Sequence, residues 1–183
     1  MSIKSKDYWE NRYKQGKNSG TGSRGVLADY KASIVNQLIK EHSIQSVLDF
    51  GCGDGYQANL IKCPSYVGVD VSGKALELCS SLPGKTFKLR PTEKAELTLS
   101  LDVIFHLTED KDYNRYIKEL FDYSTNLVII YSTNLKYPGA VPHMRHRRFS
   151  EREPPHFTLI QYIPNKYPSL TNSDFYVYQK NDG

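Results

Sequence analysis

Cysteine, methionine and tryptophan are scarce: three, two and one residue among 183. Cys52, Cys63 and Cys79 are odd in number and nowhere spaced C-x-x-C, so neither a disulfide framework nor a thiolate zinc site is expected. His143 and His146 lie three apart without a suitably spaced carboxylate, so no metal is expected either. No apolar run approaches the roughly 20 residues of a membrane span, and Met1 to Lys6 carries no apolar signal segment. The expected setting is the cytoplasm, with free thiols and no membrane span. A dominant charge is missing too. Twenty-four Lys and Arg against 20 Asp and Glu leave +4, too little for overall charge to argue for nucleic acid. No repeat or low-complexity tract occurs. What remains is ordinary for a folded domain: 39% hydrophobic and 24% charged residues, with length for one well-buried core spanning 1–183. Fourteen tyrosines suit a cleft with a polar rim.

Hydrophobic periodicity gives alternating strands and helices. A polar N-terminal arm, 1–26, precedes Leu27, Tyr30, Ile34, Val35 and Leu38, which recur at helical spacing. Val47–Phe50 is an unbroken apolar strand of the kind covered on both faces. Gly55–Ile61 reads as a helix and Tyr66–Asp70 as a second strand. Ser72 is a fair N-cap for a helix carrying Ala75, Leu76 and Cys79. Pro83-Gly84 ends that helix before a short strand, Thr86–Leu89. Leu97–Phe105 is a fourth strand and Leu127–Tyr131 a fifth. Between them Asp110 or Asp112 caps a helix striped by Tyr113, Tyr116, Ile117, Leu120 and Phe121. The cation- and proline-rich stretch within 133–156 lacks periodicity and reads as a loop. Phe157–Ile163 and Phe175–Tyr178 pair as a closing antiparallel hairpin. The expected fold is a doubly wound Rossmann-like α/β sheet, mixed because five parallel strands are followed by that hairpin.

The densest signal is Ser46-Val47-Leu48-Asp49-Phe50-Gly51-Cys52-Gly53-Asp54-Gly55, a buried strand ending in a carboxylate, a glycine turn and a helix start. A second apolar strand ends in Asp70. Together they describe a nucleoside-cofactor pocket at the carboxyl ends of parallel strands. Gly51, Gly53 and Gly55 are spaced G-x-G-x-G, not the G-x-G-x-x-G of dinucleotide sites. A pyrophosphate facing the helix start is repelled by Asp49 before the turn and Asp54 within it, whereas a ligand with a cationic end is favoured. Asp70 is placed to accept from ribose hydroxyls.

Val47 to Gly55 resembles motif I of the class I S-adenosylmethionine-dependent methyltransferases. Val67-Gly68-Val69-Asp70 resembles their second motif, and Ser100 to Leu107 the end of their fourth strand. The resemblance implies that Asp49, Gly51, Cys52, Gly53 and Gly55 wrap the methionine part of S-adenosyl-L-methionine, that Asp70 holds the ribose, and that Val71 flanks the adenine. S-adenosyl-L-homocysteine is then the product. Asp7-Tyr8-Trp9-Glu10-Asn11-Arg12-Tyr13 resembles an element that family members fold over the cofactor, making Trp9 either part of a lid or a core anchor of a first helix. The glycine-rich Gly16 to Gly25 reads as a loop that orders over cofactor or as a flexible arm.

Methyl transfer to a hydroxyl profits from a base. His106, at the carboxyl end of the fourth strand, is the candidate base, with Asp102 orienting the imidazole or contacting substrate; the alternative is a histidine that only caps and packs. Asp110 is accounted for as a helix cap. His143-Met144-Arg145-His146-Arg147-Arg148 concentrates cations where family members select substrates. His143, Arg145, His146 and Arg148 are therefore candidate contacts for an anionic or polyhydroxylated acceptor, or a solvated basic loop. The tail, Pro164 to Pro168 with Asp174 to Tyr178, resembles small methyltransferases of bacterial surface-glycan and viral glycan synthesis. That resemblance implies a sugar hydroxyl or modified phosphate as acceptor, with a pocket wall reduced because Ser150–Pro155 is short. A nucleic-acid substrate or another small anionic metabolite is the alternative; against nucleic acid, no N/D-P-P-Y/F motif or aromatic-interleaved basic stripe is present.

Overall fold

The computed structural model describes residues 4–136, 141–151 and 154–181. Seven strands form one sheet: β1 (Ser46–Phe50), β2 (Ser65–Val69), β3 (Thr86–Lys88), β4 (Ala95–Leu101), β5 (Ser124–Ser132), β6 (Phe157–Ile163) and β7 (Asp174–Lys180), in the order β3-β2-β1-β4-β5-β7-β6. The first five are parallel neighbours, and β7 runs antiparallel between β5 and β6. Among the described residues, five α-helices accompany the sheet: α1 (Ser5–Lys14), α2 (Gly25–Glu41), α3 (Tyr56–Leu60), α4 (Gly73–Cys79) and α5 (Asp110–Asp122).

Unbroken apolar strands are buried on both faces because successive side chains point to opposite sides. Along β5, Leu127, Ile129 and Tyr131 pack with Val35 and Leu38 of α2. Val128 and Ile130 between them pack with Leu120 and Phe121 of α5. Fully burying each such side chain contributes about 1.5–3 kcal/mol relative to exposure. These two layers fix the sheet, and β1, with β2 on one side and β4 on the other, is where the strand order reverses. A crevice opens there beyond the carboxyl ends.

Three details differ from the sequence reading. β4 ends at Leu101, four residues before Phe105, because Asp102 adopts a left-handed φ of 61°. Ile104 and Phe105 are still buried, but on a 3-10 turn, Ile104–His106, so their apolarity mimics a longer strand. The N-cap of α5 is Glu109; Asp110 is the first helical residue, and no side chain caps the helix. The polar N-terminal arm carries the helix α1, a 3-10 turn at Thr21–Ser23 and the start of α2. In the 133–156 loop, 137–140 and 152–153 lie outside the described residues, as do 1–3 and 182–183 at the ends.

Candidate functional site

A crevice of about 1110 Å³ lies over the ends of β1, β2 and β4. Its floor is the glycine turn. Gly51 and Gly53 take φ of 82° and 57°, and there is no room for side chains. A Cβ on Gly51 would come within 2.5 Å of Val103 Cγ2, and one on Gly53 within 2.5 Å of Ser19 Oγ. Gly51 N–H donates to Val69 O at 2.7 Å, and Cys52 N–H donates to the same oxygen at 3.1 Å, locking the turn onto β2.

Asp70 is held by backbone donors: Gly53 N–H at 3.0 Å on one oxygen and Ser72 N–H at 2.9 Å on the other. Its remaining lone pairs face the crevice. Burial raises its pKa to about 6 against those donors. Asp49, 2% exposed, accepts from Tyr66 Oη at 2.6 Å, and burial likewise raises it to about 6. Val71 stands 47% exposed on the rim.

The N-terminal segment closes one side. Helix α1 is tied at its start where Ser5 Oγ donates to His106 O and accepts from Thr108 N–H at 3.2 Å. Further along, Glu10 Oε2 accepts from Ser72 Oγ at 2.7 Å and Lys74 N–H at 3.3 Å, holding the Glu10 carboxyl down near 2. Trp9 lies against Tyr13 and meets His106 edge to face at 4.9 Å between centroids. The following glycine-rich segment lies on the turn. Ser19 N–H donates to Asp54 Oδ2 at 2.9 Å, and Asp54 N–H donates back to Ser19 Oγ at 3.2 Å. Arg24 Nη2 reaches Asp54 Oδ2 at 2.6 Å. Burial pushes the Asp54 carboxyl up, but the Arg24 and Ser19 bonds outweigh it and leave it below its ordinary value.

On the opposite side, His106 sits on the 3-10 turn after β4. Its Nδ1 lies 3.3 Å from His143 O. A carbonyl only accepts, so Nδ1 carries the hydrogen and Nε2 keeps a free lone pair. Burial lowers the His106 pKa to about 4, so the ring is neutral at ordinary pH. Asp102 does not hold this imidazole. Its Oδ2 accepts from Lys31 Nζ at 2.8 Å and its Oδ1 from Ser173 Oγ at 2.9 Å, although the carboxylate lines the same crevice. The Lys31 side chain is 1% exposed, a buried cation that sequence reading missed. Its partner is 71 residues away, and only the lone lysine among the apolar positions of α2 hinted at it.

The cationic run divides. His143 faces the crevice, stacked between Tyr8 at 4.1 Å and His106 at 5.6 Å. Arg145 and Arg147 turn away, reaching Asp110 at 3.1 and 3.0 Å and donating to the carbonyl of Thr108. His146 is buried, with Nδ1 2.6 Å from Thr133 Oγ1, and Arg148 pairs with Glu151 at 3.5 Å. A single cluster of His143, Arg145, His146 and Arg148 on one ligand is therefore not what the chain builds. Among the described residues, no group of three His, Cys, Asp or Glu is arranged to hold a metal, and no helix is long and apolar enough to cross a membrane.

No protein-family model and no curated protein sequence matches the chain. Solved structures do. N-methyltransferase NodS from Bradyrhizobium japonicum WM9, bound to S-adenosylhomocysteine, superposes with a TM-score of 0.73 at 10% identity, covering 98% of this chain and 100% of that one. Magnesium protoporphyrin IX methyltransferase from Synechocystis PCC 6803, with bound S-adenosylmethionine, gives 0.67 at 15% identity and 99% of each chain. CalS10, an amino pentose methyltransferase from Micromonospora echinaspora, gives 0.64 at 12%, over 87% of this chain and 94% of that one. The fold is that of the S-adenosylmethionine-dependent methyltransferases.

Proposed function

We propose that the chain is an S-adenosylmethionine-dependent methyltransferase acting on a hydroxyl of a sugar, glycan or sugar phosphate. The observation that carries the cofactor assignment is the glycine turn at the strand-order reversal, with the Asp49 carboxylate beneath it and Asp70 held to it by the Gly53 amide. The residues fit the group. Side chains at Gly51 and Gly53 would fill the cradle, Asp49 suits a nearby amino group, and Asp70 has lone pairs left for ribose hydroxyls. The donor supplies an electrophilic methyl on a sulfonium.

The chain's own task is to bind, orient and take a proton. Trp9, Tyr8 and His143 wall the crevice above His106 and restrict water. Nε2 of His106 is the free basic atom, its tautomer set by the carbonyl of His143. An acceptor hydroxyl hydrogen-bonded to Nε2 would hand its proton there as the methyl passed from sulfur to oxygen and S-adenosylhomocysteine left, a contribution of about 10²–10⁴ in rate. Asp102, fixed by Lys31 and Ser173, offers a further acceptor for a neighbouring hydroxyl. A sugar acceptor has a precedent on this fold in the amino pentose methyltransferase CalS10. Mass spectrometry of surface glycans from cells with and without the gene tests the reading: the expected result is one sugar lighter by a single methyl replacement in its absence. Identical glycans, with the methyl missing from another class of molecule, would contradict the acceptor assignment.

A further inference from the structure

A second cleft, about 1930 Å³, lies beyond the cationic run, between α5, the 141–151 segment and the open end of the terminal hairpin, at the start of β6 and the end of β7. Small-molecule sites typically occupy about 300–1,000 Å³, so this space fits a chain better than a metabolite. The two clefts are neighbours that share wall residues: Glu109, Met144 and Tyr123 line both. The ridge between them is the 143–148 segment, pinned where Arg145 N–H donates to Phe105 O at 2.7 Å and Arg147 donates to the carbonyls of Leu107 and Thr108.

The far side of the ridge is positive. Seven Lys and Arg line it against four Asp and Glu, although the whole chain carries only +4. Arg147 is consumed by the ridge, its side chain 13% exposed, but Arg145 and Arg148 are about half exposed with single contacts to their acids. Lys94, Lys136 and Lys180 are exposed and form no ion pair among the described residues. Arginine forks and mobile ammonium groups of this kind suit phosphate or carboxylate. The aromatic rings argue against nucleic acid. Among the described residues, Phe121, Phe149, Phe157 and Tyr178 are buried and the Arg147 guanidinium covers Tyr113 at 4.4 Å, which leaves little ring surface beyond the exposed His156 imidazole for a base to stack on.

We infer that the acceptor is an extended anionic glycan whose methylated hydroxyl lies at His106 while its phosphate- or carboxylate-bearing continuation crosses the ridge into the second cleft. The crevice end of this inference rests on the methyltransferase reading; the second cleft stands on its own lining. It also divides the cationic run by role: His143 belongs with the reacting end, Arg145 and Arg148 with the distal end.

The test measures binding of a labelled heparin octasaccharide to the full chain, to the Lys94→Ala/Arg148→Ala/Lys180→Ala variant, and to a control of equal charge, Lys40→Ala/Lys62→Ala/Lys166→Ala. The expected result is salt-sensitive binding that the cleft variant weakens about tenfold and the control leaves nearly unchanged. S-adenosylhomocysteine affinity should be the same in all three. Equal losses in both variants, or none in the cleft variant, would overturn the inference. Tighter binding of a uridylate dodecamer, lost in the cleft variant, would overturn it in favour of nucleic acid. If S-adenosylhomocysteine fails to bind while the octasaccharide behaves as expected, the methyltransferase reading falls and the cleft stands.

Discussion

The two halves of the crevice are built by different means. On the β1–β2 side, backbone does the work: three glycines in left-handed conformations and amide hydrogens that hold Asp70. On the β4–β5 side, side chains from distant segments converge, with Lys31 from α2, Ser173 before β7 and His143 from the long loop all meeting the short stretch from Asp102 to His106. A backbone-built pocket needs particular residues at particular spacings and leaves a motif. A pocket assembled from long side chains can change its ligand by substitution without disturbing the fold. An amino pentose methyltransferase and a magnesium protoporphyrin methyltransferase share the fold of this chain at 12% and 15% identity.

If the halves are separable, removing His106 should affect chemistry and leave donor binding alone. His106→Ala should lower turnover about 10²–10⁴-fold, with S-adenosylhomocysteine affinity changed less than about twofold; single-turnover kinetics beside calorimetry checks this. Surviving turnover would make His106 a packing residue.

The converse variant, Asp70→Ala, should weaken S-adenosylhomocysteine binding by about 10–100-fold, since hydrogen bonds to a charged group contribute about 1.5–3 kcal/mol. Calorimetry reads it directly. A loss of the same size for acceptor binding would show that the halves are coupled.

Titration sharpens the contrast. Asp49 and Asp70 have their pKa raised to about 6, so donor affinity should be constant above that value and fall as pH drops through it, by up to about tenfold per unit for each group. His106, lowered to about 4, stays a free base throughout that window. For stability the signs differ. The two raised carboxyls favour the unliganded native state as pH falls from about 6, whereas His106, protonated only when unfolded between its ordinary 6.5 and about 4, opposes it. The dependence of calorimetric affinity on pH checks the first claim, and thermal unfolding in the same buffers the second.

The smallest effect is expected at the strap over the glycine turn. Arg24→Ala removes a partly exposed partner of Asp54, with its side chain 28% exposed. It should weaken donor affinity only a few-fold, as pairs of this kind contribute about 0.2–1 kcal/mol. Faster dissociation in stopped-flow measurements, with association little changed, is the expected signature.

Legibility in the sequence followed the same division. The glycine turn, Asp49 and Asp70 were readable because backbone geometry ties residue type to local position. The sheet was readable because each strand's apolar run is its burial. The strap was half readable: Trp9 stood out, but Glu10 and Ser19 act on Ser72 and Asp54, 62 and 35 residues away. Lys31 was no more than hinted at for the same reason, its partner lying 71 residues away. In the cationic run the charge was plain and the direction of each side chain was not. Arg147 answers to carbonyls 39 and 40 residues earlier, which no spacing rule anticipates. The fourth strand was read too long because apolar residues on a buried 3-10 turn satisfy the same pattern as a strand.

The central claim is that the glycine turn and its two acids hold a nucleoside with a cationic amino acid end and disfavour a pyrophosphate. Calorimetry of the unmodified chain with S-adenosylhomocysteine and, separately, with NAD at pH 7.5 tests it most directly. The account predicts saturable binding of S-adenosylhomocysteine and none of NAD at the same concentrations. Tight NAD binding with S-adenosylhomocysteine inert would contradict it.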